Sequence, residues 1–186
     1  MTSSDHPATS FVIRLHGLCG AGKTTLSRLV ARELNATIFE IGRYRRRGRA
    51  EPDSWDLMVC DIERLLRTGG RALVATTGVN LNEFVIDFEF PEGRKVWLAA
   101  DLVTLDARVA AKPLLQRGYL NWLSLPIYRK LGSKSAFNRT AFTLYEELSK
   151  DEGLTIDARL PPDTLCGLIA DYLRAEGFQW PARQRG

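Results

Sequence analysis

Nine consecutive residues, Gly17 to Thr25, read GLCGAGKTT and fill the spacing G-x-x-x-x-G-K-[ST] completely. An apolar run, Phe11-Val12-Ile13-Arg14-Leu15, leads into them, and Leu26, Leu29, Val30 and Leu34 follow at helical spacing. A strand, a glycine turn and a helix in that order form a cradle for phosphate. The glycines let successive backbone N–H groups turn inward, and the helix N-terminus adds the positive end of its dipole. Lys23 is placed to reach the β- and γ-phosphates of a nucleoside triphosphate, and Thr24 to hold their Mg²⁺. Thr25, next in the helix, can cap it or touch the α-phosphate. Gly17, Cys19, Gly20, Ala21 and Gly22 supply the backbone of the loop, with Cys19 read as a small loop residue and not as a redox centre.

The elements that must position this loop are legible from periodicity. Thr37-Ile38-Phe39-Glu40-Ile41 is a second strand, stopped by Gly42. A helix starts near Asp53 or Ser54, runs through Leu65 and Leu66, and ends at Gly69-Gly70. Residues 71–76 and 95–100 are the third and fourth strands, each followed by a helix, and residues 154–157 are a short fifth strand. After Pro161-Pro162-Asp163, apolar Leu165, Leu168, Ile169, Tyr172 and Leu173 form the stripe of an amphipathic helix, ended by Gly177. Strands alternating with helices predict βαβ units, an α/β fold with a doubly wound five-stranded parallel sheet, and ligands at the carboxyl ends of the strands.

With 186 residues, 45% of them hydrophobic, the chain is large enough for one domain with a full core, expected over residues 11–177. Residues 1–10 read as a disordered lead-in without signal-peptide character, and residues 178–186 as a tail. No run of apolar residues approaches the length of a membrane span. Cys19, Cys60 and Cys166 are an odd number at wide spacing, which speaks against a disulfide framework or zinc site and fits a cytoplasmic location. The net charge of +4 is concentrated. Arg43 to Arg49 read RYRRRGR, five arginines in seven residues, and a second basic set comprises Lys112, Arg117, Arg129, Lys130, Lys134 and Arg139. Guanidinium forks bind phosphate or carboxylate bidentately, although such a run also suits a solvated basic loop. His16, at the end of the first strand, reads as a packed or backbone-bonded residue more than as a base.

These features together resemble the nucleoside monophosphate, adenylylsulfate and shikimate kinase group: short length, a phosphate loop near the start, five strands, and a closing strand followed by PPD and a helix. The resemblance covers most of residues 11–177 and implies a P-loop NTPase fold with a helical lid, here about residues 108–140, and use of ATP and Mg²⁺. In nucleotide kinases of this group an arginine four residues after the glycine that ends the second strand holds the acceptor phosphate, and Gly42 and Arg46 have that spacing. Against the Asp-x-Asp-x-x-Arg pattern of adenylylsulfate kinases, Glu40 and Arg45 fit, while the second acid falls on Gly42. LVATTGV, Leu73 to Val79, is similar to the VATGGG segment that lines the acceptor pocket of shikimate kinases. That likeness makes Thr77, Gly78 and the nearby Asn80 acceptor candidates, or caps of a helix beginning near Leu81. KPLLQ, Lys112 to Gln116, resembles the RPLL lid, so Arg108, Lys112 and Arg117 are the lid cations implied over ATP. Arg139 is a further acceptor-side candidate. Glu40 is the nearest acid able to reach Mg²⁺ through water or to serve as a base, with Asp87 and Asp101 as other acids in play; its alternative role is to meet an arginine at the strand end. The chain departs from shikimate kinases in two places. Their catalytic aspartate falls on Gly42, and their carboxylate-binding arginine has no counterpart in SWDLMVCDIERLL.

The reading the sequence favours is an ATP-dependent kinase acting on a small molecule, nucleotide-like or otherwise anionic. A hydroxylated metabolite or antibiotic is the alternative acceptor, followed by nucleic acid gripped at a 5′ end or modified base through the arginine run and the aromatic residues of 118–139. A non-catalytic NTP-binding module is a third class, and the lack of an N-K-x-D guanine motif disfavours a GTP switch. Monomer and homodimer fit the sequence equally.

Overall fold

The computed structural model describes residues 10–45, 51–79, 92–112, 131–151 and 153–178. The expected acceptor candidates Arg46 and Asn80, the lid candidate Arg117, Asp87, and the helix expected near Leu81 lie outside these residues. Five strands, β1 (Phe11–His16), β2 (Thr37–Glu40), β3 (Arg71–Thr76), β4 (Arg94–Ala99) and β5 (Leu154–Asp157), form one sheet in the order β2-β3-β1-β4-β5. Every pairing is parallel, with Ile13 opposite Leu73 on one side of β1 and Arg94 on the other. The described helices are α1 (Lys23–Leu34), α2 (Ile41–Tyr44), α3 (Glu51–Arg67), α4 (Leu102–Ala111), α5 (Lys134–Asp151) and α6 (Pro162–Ala175). None of them is long and apolar enough to cross a membrane.

Alternation along β1 sorts its side chains between two layers. Ile13 and Leu15 pack with Leu26, Val30 and Leu34 of α1 and with Leu165, Ile169 and Leu173 of α6. Val12 faces the other way, with Phe39, Ala72 and Val74, onto Met58, Ile62 and Leu66 of α3. Parallel strands covered on both faces must be apolar throughout, which is why β3 is buried from Ala72 to Ala75.

Strand β4 runs Arg94–Ala99 against the expected 95–100, and two further boundaries differ for reasons visible in the packing. The second strand stops at Glu40, because Ile41 turns into the single helical turn of α2, closed by the Arg45 amide on the Ile41 carbonyl (3.2 Å), and buries its side chain against α3. Helix α3 begins at Glu51, ahead of the expected cap at Asp53 or Ser54. Pro52 suits a first turn, where no amide needs a partner, and Ser54 is buried inside the helix instead of capping it. The glycine stops act as expected. Gly69 and Gly70 donate to Leu66 and Leu65 at the end of α3, and Gly177, at φ +82, lets Phe178 donate to Leu173 and stack edge-on against Phe11.

At the carboxyl end of β1, His16 is buried between β3 and β4. Its Nδ1 lies 2.9 Å from the Thr76 hydroxyl, and its ring lies 4.4 Å from that of Trp97, its register partner. Gly78 closes over this pair at φ +78; a Cβ there would sit 2.7 Å from Trp97 and 2.9 Å from His16, so only glycine fits. Burial first, then the charges of Arg14, Lys95 and Lys23, push the imidazole from 6.5 down to about 3. His16 is therefore a neutral packing residue at physiological pH.

Two stability predictions follow from these layers. Ile169→Ala, at a fully buried position of α6, should cost about 2–5 kcal/mol in urea unfolding, and Leu168→Ala beside it, 39% exposed, less than about 1 kcal/mol. The unfolded chain protonates His16 near pH 6.5, whereas the native chain does so only near pH 3. In that window the native state loses about 1.4 kcal/mol per pH unit through this group as pH falls. Unfolding free energy in His16→Gln should accordingly fall less steeply than in the wild type between about pH 6 and pH 4; parallel slopes would contradict the buried neutral ring.

Candidate active site

The loop between β1 and α1 is shaped by backbone before any side chain acts. Gly17 donates to the Thr76 carbonyl (3.2 Å) and so ties the loop's start to the end of β3. Gly20 and Gly22 both sit at φ +93, which disfavours any other residue. Gly20 has a second constraint, since a Cβ there would lie 2.6 Å from the Leu105 carbonyl of α4. Within this turn Lys23 Nζ donates to the carbonyls of Gly17 and, at 3.1 Å, of Leu18. Desolvation is the largest influence on Lys23 and lowers its pKa; the charges of Lys112 and Lys134 push the same way, while Cys19 and Glu40 raise it. The ammonium is thus within the electrostatic reach of Glu40 at the end of β2, Lys112 just past α4 and Lys134 at the start of α5. Thr24 and Thr25 are exposed in the first turn of α1.

Beside the loop lies a cleft of about 440 Å³, a size suited to a nucleotide. It is lined by Gly20 to Leu26, by Arg108 and Lys112, and by Ala158 to Pro162 from the turn after β5, with Leu165 of α6. Arg108 also donates to the Ala158 carbonyl at 2.9 Å. Arg159 is gripped by Asp157 through paired contacts of 2.8–3.0 Å, with Asp101 3.6 Å away. Its guanidinium holds the Asp157 carboxyl down to about 2.

The remaining expected residues fall in several places. Glu40 is half-buried at the end of β2, 3.6 Å from Arg43, and Arg45 follows α2. The Thr77 hydroxyl donates to the Val79 carbonyl (3.0 Å), and that of Thr76 accepts from Gly78 N–H as well as meeting His16. Arg139 pairs with Asp106 of α4 at 3.3 Å. Asp101 caps α4, accepting from the backbone and hydroxyl of Thr104 (2.7 and 3.0 Å), and these bonds hold its carboxyl low. For Mg²⁺ the donor chemistry fits: a hydroxyl at Thr24 and a carboxylate at Glu40 are hard oxygen ligands, and Mg²⁺ usually takes few from protein and the rest from phosphate and water. Among the described residues no group of three or more His, Cys, Asp or Glu could hold a metal by itself.

Two parts of the site were not anticipated from sequence. The Ala158–Pro162 turn follows the carboxyl end of β5, where the doubly wound rule wants ligand contacts, so a signal was present. Asn138 is fully buried on α5 and makes two hydrogen bonds to one loop residue: its Oδ1 accepts from Cys19 N–H at 2.9 Å and its Nδ2 donates to Cys19 C=O at 2.8 Å. The available hint was a polar residue sharing a helical stripe with Ala141 and Tyr145.

No protein-family model matches the chain, and no curated protein matches it in sequence. Solved structures do match. Shikimate kinase from Aquifex aeolicus is 15% identical, with 90% of this chain and 98% of that one covered at a TM-score of 0.57. A sugar kinase from Janibacter sp. is 17% identical, with 89% and 95% covered at 0.60. Deoxyadenosine kinase from M. mycoides, solved with bound dATP, is 16% identical, with 88% and 100% covered at 0.51. At these identities the likeness is one of fold. The sheet order, the loop after the first strand and these neighbours together give the chain the fold of the P-loop kinases.

Proposed function

We propose that this chain is an ATP-dependent kinase that transfers the γ-phosphoryl group to a small anionic acceptor, nucleotide-like or bearing a hydroxyl beside its charge. The observation that carries the reading is the complete phosphate loop, with Lys23 held at its carbonyls beside a nucleotide-sized cleft that three further cations, Arg108, Lys112 and Arg159, line. The solved neighbours named above are kinases of shikimate, a sugar and deoxyadenosine, which supports transfer to an acceptor over a non-catalytic module.

On this reading, the inward-facing loop amides and Lys23 hold the β- and γ-phosphates. Arg108 and Lys112 lie over the cleft to balance charge on the moving phosphoryl group, with Arg117 the third cation expected from sequence. Mg²⁺, held by Thr24 and through water by Glu40, would supply charge neutralisation between the phosphates. Phosphoryl transfer asks the protein mainly for positioning and electrostatics, and this set of groups offers both. The acceptor would approach from the side of β2 and β3, near Glu40, Thr77 and Gly78, held by Arg45 or Arg46. Glu40 acts electrostatically on Lys23, which supports a carboxylate near the reacting phosphate, able to take a proton from an acceptor hydroxyl.

ADP formation in a screen of nucleoside monophosphates, nucleosides, sugars, amino alcohols, hydroxy acids and short oligonucleotides tests the reading; no acceptor raising the rate above the acceptor-free background would defeat it. With an acceptor in hand, Lys23→Ala should lower kcat by about 10³-fold or more while the fold persists. Arg45→Ala should raise the KM for the acceptor far more than that for ATP. A change confined to ATP would move Arg45 to the donor side.

A further inference from the structure

Helix α5 reaches the phosphate loop at two points that lie either side of the Lys23 anchor. Asn138 bonds both backbone groups of Cys19, and the geometry fixes which end of its amide is which, because Cys19 N–H can only donate and Cys19 C=O can only accept. Two turns further along α5, the buried Tyr145 hydroxyl shares its one proton between the carbonyls of Leu98 (3.1 Å) and, more weakly, His16 (3.4 Å). Between residues 16 and 19 stand Gly17 and Leu18, whose carbonyls receive Lys23 Nζ. One helix therefore holds both ends of the segment on which the lysine rests.

The choice of residue is informative. Position 138 is fully buried, beside Phe137 and on a stripe with Ala141 and Tyr145 that packs into the main core. An apolar side chain there would leave the Cys19 amide and carbonyl without these partners, and a buried amide costs free energy unless its own bonds are made. Asn138 makes its two bonds to the loop. A second device acts on the next residue, where the Gly20 backbone is pressed against the Leu105 carbonyl of α4, and α4 is joined to α5 by Arg139 and Asp106. Resting on the kinase reading above, we propose that Asn138, assisted by Tyr145, is a positioning residue for the phosphate loop: it fixes the loop backbone in its triphosphate-binding shape before the nucleotide arrives. Loop order set in advance does not have to be bought from binding energy.

Calorimetric titration of the whole chain with two probes, MgATP and Mg-tripolyphosphate, separates this role from general packing. Asn138→Ala should weaken both probes by the same factor, roughly 10- to 100-fold, because the loss lies in the phosphate cradle and not around the base. It should also speed hydrogen exchange at the Cys19 amide in the ligand-free chain. Ile169→Ala, destabilised on α6, should leave both affinities at the wild-type value. Wild-type affinities in Asn138→Ala, a loss for MgATP alone, or an unchanged Cys19 exchange rate would each overturn the proposal. If the alanine variant does not fold, Tyr145→Phe keeps the ring in the core and removes only the hydroxyl; about threefold weaker binding of both probes is expected, and unchanged binding overturns the role given to α5. The kinase reading fails separately, if the wild type binds neither probe, while the exchange measurement still tests the clamp.

Discussion

A lysine ammonium held against the carbonyls of its own loop is the constraint around which the rest of this molecule is arranged. An ammonium removed from water is unfavourable unless its donors are met and opposite charge is close. Lys23 has two carbonyls, the dipoles of the turn and the field of Glu40, but it also faces Lys112 and Lys134, and the balance lowers its pKa. The cleft beside it is lined by Lys23, Arg108, Lys112 and Arg159, so basic side chains gather at one place. On the proposed kinase reading the anion that completes the site is a triphosphate, which suits a glycine turn of this form.

The sheet keeps that arrangement rigid. β1 is central, flanked by β3 and β4, so the loop that leaves it is bordered by the ends of both neighbours. Gly17 is tied to Thr76 on one side, and Tyr145 joins His16 to Leu98 on the other. Apolar layers on the two faces fix the strands, and the polar contacts at their carboxyl ends then act on a base that moves little. Position is set by the core, and chemistry is left to residues just past the strand ends.

How much of this was readable in advance depended on how local the cause was. GLCGAGKTT between strand and helix, the stripe from Leu165 to Leu173 and the glycine stops at 69–70 and 177 are short-range patterns, and the structure carries them with one exception: Leu168, read as part of the stripe, is 39% exposed, while Leu165, Ile169 and Leu173 are buried. Strand ends were read to within a residue; Ile41 left β2 because burial against α3 outweighed its β-branched preference for a strand. Asn138 and Cys19 are 119 positions apart, so only the packing of α5 onto the loop reveals their bond. Similarly, the partners of Arg139 and Arg108, Asp106 and the Ala158 carbonyl, lie 33 and 50 positions away. An arginine's sequence neighbours say that it can bind an anion; they do not say which anion is already there.

That last point bears on how the donor and acceptor sides differ. On the proposed reading, the groups that would meet a nucleotide include much backbone: loop amides, the turn after β5, and glycines that bring backbone close. Backbone recognition tolerates sequence drift, provided that φ angles and packing are kept, which is consistent with a shared fold at 15–17% identity to the kinases of shikimate, a sugar and deoxyadenosine. Acceptor recognition rests on side chains, where one substitution changes the chemistry accepted. Gly42 lies where shikimate kinases place an acid, and it has open space at its Cβ position, so the lack of a side chain there is not a packing necessity. With glycine at that place, Glu40 stands at the end of β2 with Arg43 and Arg45, one acid to two arginines. On the proposed kinase reading, an acceptor that brings its own negative charge suits that balance.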